Sequence, residues 1–338
     1  MQEFLRKILM GEHLTTAEAS AAMDLVMDGN ATQAQIAGLL VGLRLKGERA
    51  HEVVGFVESM RRHAIRVNIA TANAVDGCGT GGDGSHTFNI STAAAIVASA
   101  AGAVVAKHGN RSVSSKCGSA DVLEAAGAEI DPGPEIVERT IKQLGFGFLF
   151  APRFHPAMKH AAPVRKELGV RTVFNILGPL CNPAGVRRQL IGVYDKRLLW
   201  LVAEVLAMTG SDHVMVVHSH DGLDELSVSA PTDCVEWKNG NYAESRLLPI
   251  DLIGREYPNG ILAGGEPSEN VAILKRILDG EQGPYTDATA LNAGAMLFVA
   301  GVSSSIADGV SLARTAITNG AASIKLSQWI GAGKGEGS

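Results

Sequence analysis

Through residues 1–68 the apolar positions recur every three or four residues. Ile36, Leu39, Leu40 and Leu43 make one such row, and Val53, Val54, Val57 and Met60 make another. That period belongs to helices with one buried face. Thr15 with Glu18, and Thr32 with Gln35, have the spacing of capping boxes, in which each side chain satisfies the other residue's backbone N–H. Asp28-Gly29-Asn30 and Gly47 break the rows, and the last helix covers 49–63. So small a unit buries little surface alone. Its apolar faces need the rest of the chain, a second subunit, or both.

From about residue 74 the texture changes to short apolar runs alternating with helical periods. Runs at 103–106, 128–130, 146–150, 190–193 and 213–217 predict strands. Residues 121–126, 134–144, 198–208, 268–278, 288–300 and 309–319 predict helices. Such alternation implies βαβ units and a mainly parallel sheet. Residues 71–76 read as a weak strand at best. Pro163, Pro179 and Pro183 mark 156–183 as an irregular stretch crossing back over the helical unit. The predicted fold class is α/β, with a small all-α N-terminal domain at 1–68 and a large α/β domain with a mainly parallel central sheet at 74–155 and 186–330. A crossing segment at about 156–185 joins the two, and 331–338 reads as a flexible tail.

Residues 77–84, Gly-Cys-Gly-Thr-Gly-Gly-Asp-Gly, interrupt the pattern, and five of these eight are glycine. Alone, such a run reads as a mobile loop. Here Asn89-Ile90-Ser91-Thr92 and the apolar run 93–98 follow it and mark a helix start. A glycine-rich turn feeding a helix N-terminus gathers backbone N–H groups around an anion. Gly79, Gly81 and Gly84 also fit the dinucleotide fingerprint, but no strong strand precedes them and no acidic residue occurs over 84–106 to hold a ribose. No Gly-Lys-Ser/Thr follows, so the Walker pattern fails as well.

Composition narrows the classes. The 338 residues, 46% hydrophobic and 19% charged, suit a globular chain of about two domains. A net charge of −5 argues against a general nucleic-acid binder. Cys78, Cys117, Cys181 and Cys234 form no Cys-x-x-Cys pair, which suggests neither a disulfide framework nor a zinc site and fits reduced thiols in the cytoplasm. No long apolar core follows Arg6 and Lys7, so no signal peptide is expected. The uncharged stretch 84–106 is long enough to span a membrane, but its Ala, Ser and Gly content, with His86 and Asn89, suits a buried helix and strand better.

Three further segments offer chemistry. Residues 107–121 follow an apolar run and so sit at the carboxyl end of a strand, where α/β sheets bind ligands. They carry Lys107, Arg111 and Lys116 among hydroxyl and amide side chains, and with the glycine run they suit a ligand bearing two phosphate groups. In 218–225, Asp224 and Glu225 are spaced to share Mg²⁺, although an acidic pair at a helix start is also favoured by the helix dipole alone. His218 and His220 lack a third zinc ligand at the right spacing. Arg165 could pair with a carboxylate or simply face water.

Gly79-Thr80-Gly81-Gly82-Asp83, Asn89-Ile90-Ser91-Thr92, Lys107-His108-Gly109-Asn110-Arg111, Gly118-Ser119-Ala120-Asp121, Asn175-x-x-Gly178-Pro179-Leu180-x-Asn182-Pro183 and His220-Asp221-Gly222-Leu223-Asp224-Glu225 stand in this order. Together they resemble the anthranilate phosphoribosyltransferase family of tryptophan biosynthesis over nearly the whole chain. The resemblance implies the nucleoside phosphorylase/phosphoribosyltransferase-like fold, a hinge between the domains and a homodimer formed through the helical domains. It implies transfer of the phosphoribosyl group from phosphoribosyl diphosphate, with Mg²⁺, to the amine of anthranilate, releasing pyrophosphate. It places phosphoribosyl diphosphate on Gly79, Gly82, Asp83, Thr87, Asn89, Ile90, Ser91, Thr92, Lys107, Ser115 and Ser119. It places Mg²⁺ on Ser91, Asp224 and Glu225, and anthranilate near Gly79, Asn110 and Arg165, with His108, His155 and Met158 lining the approach. No strong general base is implied; Lys107 and His108 are the candidate catalytic side chains. A cytoplasmic enzyme with no nucleic-acid or membrane partner is expected. The rivals are a pyrimidine nucleoside phosphorylase, whose own signature is absent, and a non-catalytic nucleic-acid-binding relative, which would gain a basic face.

Overall fold

The computed structural model describes residues 1–69, 71–112 and 116–334. Four helices open the chain: α1 (Gln2–Leu9), α2 (Thr16–Met27), α3 (Gln33–Lys46) and α4 (Ala50–His63). Both capping boxes form, at the starts of α2 and α3. The bundle is pinned by a buried charge. The Glu52 carboxylate accepts hydrogen bonds from Lys46 Nζ at 2.8 Å and from the N–H groups of Leu14 at 2.9 Å and Arg49 at 3.0 Å. Burial pushes this carboxyl up, but the bonds from Lys46 and the two amides outweigh it and the net shift is downward. Glu52→Ala should therefore cost about 3–5 kcal/mol in urea unfolding, because it strands a buried Lys46 ammonium. The sign with pH follows from the lowered value. The Glu52 contribution is complete above the unfolded-state value of about 4.3 and disappears as pH falls through the lower folded-state value.

The remainder alternates strand and helix: β1 (Val75–Gly79), α5 (Ile90–Ala100), β2 (Val105–Gly109), α6 (Ser119–Ala125), α7 (Pro134–Leu144), β3 (Phe146–Phe150) and α8 (Ala151–Phe154). After a 3₁₀ turn (Pro156–His160) come α9 (Ala162–Leu168), α10 (Phe174–Leu180), β4 (Arg188–Gly192), α11 (Leu198–Met208), β5 (His213–Ser219), β6 (Thr232–Lys238) and β7 (Asn241–Leu247). Five helices close the chain: α12 (Pro249–Ile253), α13 (Pro267–Leu278), α14 (Pro284–Ala300), α15 (Ile306–Thr318) and α16 (Ala321–Gly333). The sheet order is β3-β2-β1-β4-β5-β6-β7; the first five strands are parallel and the β6–β7 hairpin is antiparallel. This is the α/β class expected, with a mainly parallel central sheet. The order reverses between β1 and β4, and the crevice beyond such a reversal is where open α/β sheets bind ligands.

Strand alternation feeds two large cores, beside a smaller cluster around Ala106, Leu149 and Phe154. β4 sends Leu190 to one core and Ile191 to the other; β5 sends Met215 and Val217 one way and Val214 and Val216 the other. The first core packs under α5, α13, α14, α15 and α16. The second is continuous with α1–α4 and α9–α11, so the N-terminal helices and one sheet face share a single interior.

Four expectations need correction. Residues 128–130 form no strand: the Ala128 N–H closes the end of α6 on the Leu123 carbonyl, and Ala128 and Ile130 simply plug the first core. Residues 156–183 are largely helical, with Pro163 in the first turn of α9 and Pro179 inside the short α10. The glycine segment is not all loop, because its first three residues, 77–79, are strand β1. Helix α16 runs to Gly333, so order extends past the predicted start of the tail, and 335–338 lie outside the described residues. Among the described residues no helix is long and apolar enough to cross a membrane.

Candidate active site

The last residues of β1 and β4, Gly79 and Gly192, pair with each other at the switch point. Both lie under Asp224. A Cβ on Gly79 would fall 2.2 Å from Asp224 Oδ2, and one on Gly192 would fall 1.5 Å from the Asp224 carbonyl oxygen. The missing side chains let an acidic residue lie flat across two strand ends. Its Oδ2 accepts the Gly81 N–H at 2.6 Å. Asp83 hydrogen-bonds the Asp224 carboxyl, and the Ser91 side chain bonds Glu225. Burial, then the neighbouring Asp83 charge, raises the pKa of Asp224; burial, then Asp224, raises that of Glu225, against the pull of Lys107. Three carboxyls thus crowd one small space. Among the described residues no three His, Cys, Asp or Glu side chains form a metal-holding group. The donors present suit Mg²⁺ all the same, since it takes one or two protein carboxylates and fills its shell with water and substrate phosphates.

Beside this cluster, through Ser91, helix α5 presents its N-terminus. Asn89 is the N-cap but makes no side-chain cap bond; its Nδ2 donates instead to the Cys117 carbonyl at 3.1 Å. The Ile90 N–H already bonds the Phe88 carbonyl at 2.7 Å, so among the described residues the Ser91 and Thr92 amides are the ones left for a ligand. The Thr92 hydroxyl is buried with no partner among the described residues, and Ile90 anchors the turn in the core. Thr87 pairs with Ala263 across an isolated bridge. Lys107 is buried in β2, and its Nζ donates to the Gly77 carbonyl at 2.8 Å, behind the glycine strand. Ser119 Oγ accepts the Asn110 N–H at 3.1 Å and donates to the Asn110 carbonyl at 3.2 Å, knitting the loop after β2. Arg111 pairs with Asp121 and Glu124 at the surface, so it is not a phosphate ligand in this conformation. Ser115 lies outside the described residues.

A second group lies along the crossing segment. Arg165 on α9 is partly buried, which lowers its pKa; it stacks on Phe174 at 5.2 Å and, among the described residues, has no ion pair. The His108 and His155 rings stand 5.2 Å apart and are both buried. His108 donates to the Gly178 carbonyl and His155 to the Cys181 carbonyl, and among the described residues each leaves its Nε2 without a partner. Burial, then the neighbouring His155, pushes His108 down to about 3; burial pushes His155 down to about 4. Both rings are neutral at pH 7. Met158, in the 3₁₀ turn, packs against the helical core, and Asn110 is exposed at the loop tip.

His218 and His220 do not converge: His218 bonds the Val193 carbonyl and His220 pairs with Asp233. Arg171 escaped the sequence-based expectations. Its guanidinium donates to the Gly82 carbonyl and lies 3.8 Å above the Tyr194 ring, so it ties the segment after α9 to the glycine loop. The available signal was its place between Arg165 and the Asn175 motif.

Residues 2–64 match the helical bundle domain of the glycosyl transferase family, and 71–323 match the a/b domain of that family. An anthranilate phosphoribosyltransferase of Thioalkalivibrio sulfidiphilus is 50% identical over 98% of this chain and 98% of its own length. One from Thermomicrobium roseum is 51% identical over 95% of this chain and 94% of its own. The crystal structure of the Thermus thermophilus anthranilate phosphoribosyltransferase superposes with a TM-score of 0.94 at 44% identity, covering 98% of this chain and 99% of that one. The Saccharomyces cerevisiae enzyme in complex with PRPP and Mg superposes with a TM-score of 0.90 at 28% identity, over 99% of this chain and 98% of that one. With the acidic cluster seated on the glycine pair, and relatives of this identity over nearly full length, the chain belongs to the anthranilate phosphoribosyltransferase family.

Proposed function

We propose that this chain transfers the 5-phosphoribosyl group of phosphoribosyl diphosphate to the amine of anthranilate, giving N-(5-phosphoribosyl)anthranilate and pyrophosphate. The observation that carries the reading is Asp224 laid across Gly79 and Gly192, with Glu225, Asp83 and the open N-terminus of α5 around it. Such a site cradles a diphosphate through backbone amides and needs a cation to offset its carboxyls. Ser91, Asp224 and Glu225 are the residues that would hold Mg²⁺; when bound, the ion offsets negative charge on the leaving pyrophosphate. Gly79, Gly82, Asp83, Thr87, Asn89, Ile90, Ser91, Thr92 and Ser119 frame the donor. Lys107 adds a buried positive charge behind that frame, where it favours the developing anion without touching open solvent.

The acceptor fits beside Arg165, Asn110, His108, His155 and Met158. An unpaired, partly buried guanidinium is suited to a bidentate bond with the carboxylate of anthranilate. The two free imidazole nitrogens are neutral acceptors, matched to amine N–H groups. A ring that protonates only near 3 is a weak base at neutral pH, so His108 serves here to orient the amine. The aromatic amine is already neutral and needs no activation before it attacks the sugar carbon. Positioning two substrates on facing walls supplies much of the acceleration, up to about 7–11 kcal/mol in favourable cases.

Homodimerisation through the helical unit is supported by α1 and α3, which leave Leu9, Met10, Val41 and Leu45 exposed. Among the described residues the cysteines form no disulfide, which supports a reducing, cytoplasmic setting. The test of function is loss of anthranilate fluorescence on adding phosphoribosyl diphosphate and Mg²⁺. No loss under saturating substrates would sink the proposal. Arg165→Ala should raise KM for anthranilate by about 100-fold and that for phosphoribosyl diphosphate by less than about threefold. Equal rises would mean that Arg165 does not hold the carboxylate.

A further inference from the structure

Asp76 lies in β1, three residues before Gly79, and its side chain is wholly buried. An ionised carboxyl at such a place is costly unless every lone pair is used. Burial pushes its pKa up to about 6, with Lys107 opposing. Oδ1 accepts the backbone N–H of His108 at 3.2 Å, and Oδ2 accepts the Asn182 amide at 2.8 Å. The same Asn182 Nδ2 donates to the Ala106 carbonyl at 2.9 Å, and Asn182 Oδ1 accepts the Ala184 N–H at 2.9 Å. The chain leaving α10 is therefore sewn to β1 and β2 through one asparagine. On its other side that chain faces a cavity of about 490 Å³ lined by Arg66, Val67, Asn68 and 183–185. Leu180 and Cys181 beside it are packed in the second core, and Ala184 and Val186 in a smaller cluster with Val67, Leu149 and Phe154; the Asn182 bonds fix how this packed chain lies against β1 and β2.

The stitched chain carries the Gly178 and Cys181 carbonyls to which the His108 and His155 rings are tied. One carboxylate thus grips both the backbone from which the His108 ring hangs and the segment that orients both rings. We propose that Asp76, acting through Asn182, is a positioning residue for the amine substrate: it sets the His108–His155 pair and touches neither substrate. The inference rests on the acceptor site proposed above. It gives the Asn182-Pro183 part of the sequence motif a task that ligand contact does not.

The test uses the full-length protein and three variants: Asp76→Asn, Asn182→Ser, and the exchange Asp76→Asn with Asn182→Asp. Asp76→Asn sets one amide against another. Asn182→Ser loses the reach to Asp76. The exchange restores a donor facing an acceptor between the two positions, although it gives up the bond to the Ala106 carbonyl. Each single variant is expected to lower kcat/KM for anthranilate by about 30-fold, with KM for phosphoribosyl diphosphate within about threefold of wild type. The exchange is expected to recover part of that loss, since the Ala106 bond stays broken. Amide hydrogen exchange in the substrate-free protein should speed up over 176–185 in the single variants. A lower Tm with unchanged kcat/KM for anthranilate would make the network purely structural and overturn the proposal. So would equal losses for both substrates, or unchanged exchange over 176–185. The exchange experiment needs no turnover and stands even if a variant is too unstable for kinetics. An inactive wild type would refute the assigned reaction itself, whereas an active wild type with normal variants would refute only the role of Asp76.

Discussion

Gly79→Val is expected to lower kcat/KM for both substrates by about 1,000-fold or more, while the fold survives. The reason is local. A Cβ at position 79 would enter the space held by Asp224 Oδ2, 2.2 Å away, so Asp224 must leave the strand end. Its departure releases the bond from the Gly81 N–H and with it the shape of the glycine loop. In the proposed reading this position is also where the sugar's reacting carbon meets the incoming amine, so donor and acceptor would suffer together. Steady-state kinetics with both substrates, beside circular dichroism to confirm folding, is the measurement. Turnover within about tenfold of wild type would take Gly79 out of the site.

The second large effect comes from neutralising the acidic pair. Asp224→Asn combined with Glu225→Gln should lower kcat by about 100- to 1,000-fold and move the Mg²⁺ concentration giving half-maximal rate upward by at least about tenfold. The same double variant should melt at a higher temperature than wild type. Burial, then the Asp83 charge for Asp224 and the Asp224 charge for Glu225, push both carboxyls up, so removing their charge relieves the fold. Loss of activity with gain of stability marks residues kept for chemistry. An unchanged magnesium titration would remove the pair from the metal site.

Much of this was legible in the sequence because it depended on local rules. The capping boxes at Thr15 and Thr32 formed where their spacing placed them, and 134–144, 146–150 and 198–208 match their elements at both ends. What stayed hidden needed three dimensions. The strand at 75–79 carries two glycines and an aspartate, each poor in strand propensity, and it exists because β2 and β4 flank it on both sides. The β6–β7 hairpin was not expected at all, since β7 is an exposed edge with few apolar residues to announce it. The acidic pair at 224–225 was visible, but its seat on Gly79 and Gly192 was not, because those residues lie far apart in the chain. Lys107 looked like a loop cation and turned out to be a buried one, since the strand runs two residues past it. Asp76 looks ordinary in the sequence, and Asn182 stands in a motif without a visible task; only their 2.8 Å contact reveals a pair.

The shared interior of α1–α4, α9–α11 and one sheet face has a consequence for recombination between relatives. A crossover placed in the linker at 64–74 looks neutral by chain order, yet it would set helices from one parent against Ile191, Val214, Val216 and the α11 residues Val202 and Leu206 from the other. The inheritable block is a spatial one. Chimeras that carry 1–64 together with 161–216 keep both sides of that interior from one ancestor, and they should stay soluble where single-crossover chimeras of equally distant parents aggregate.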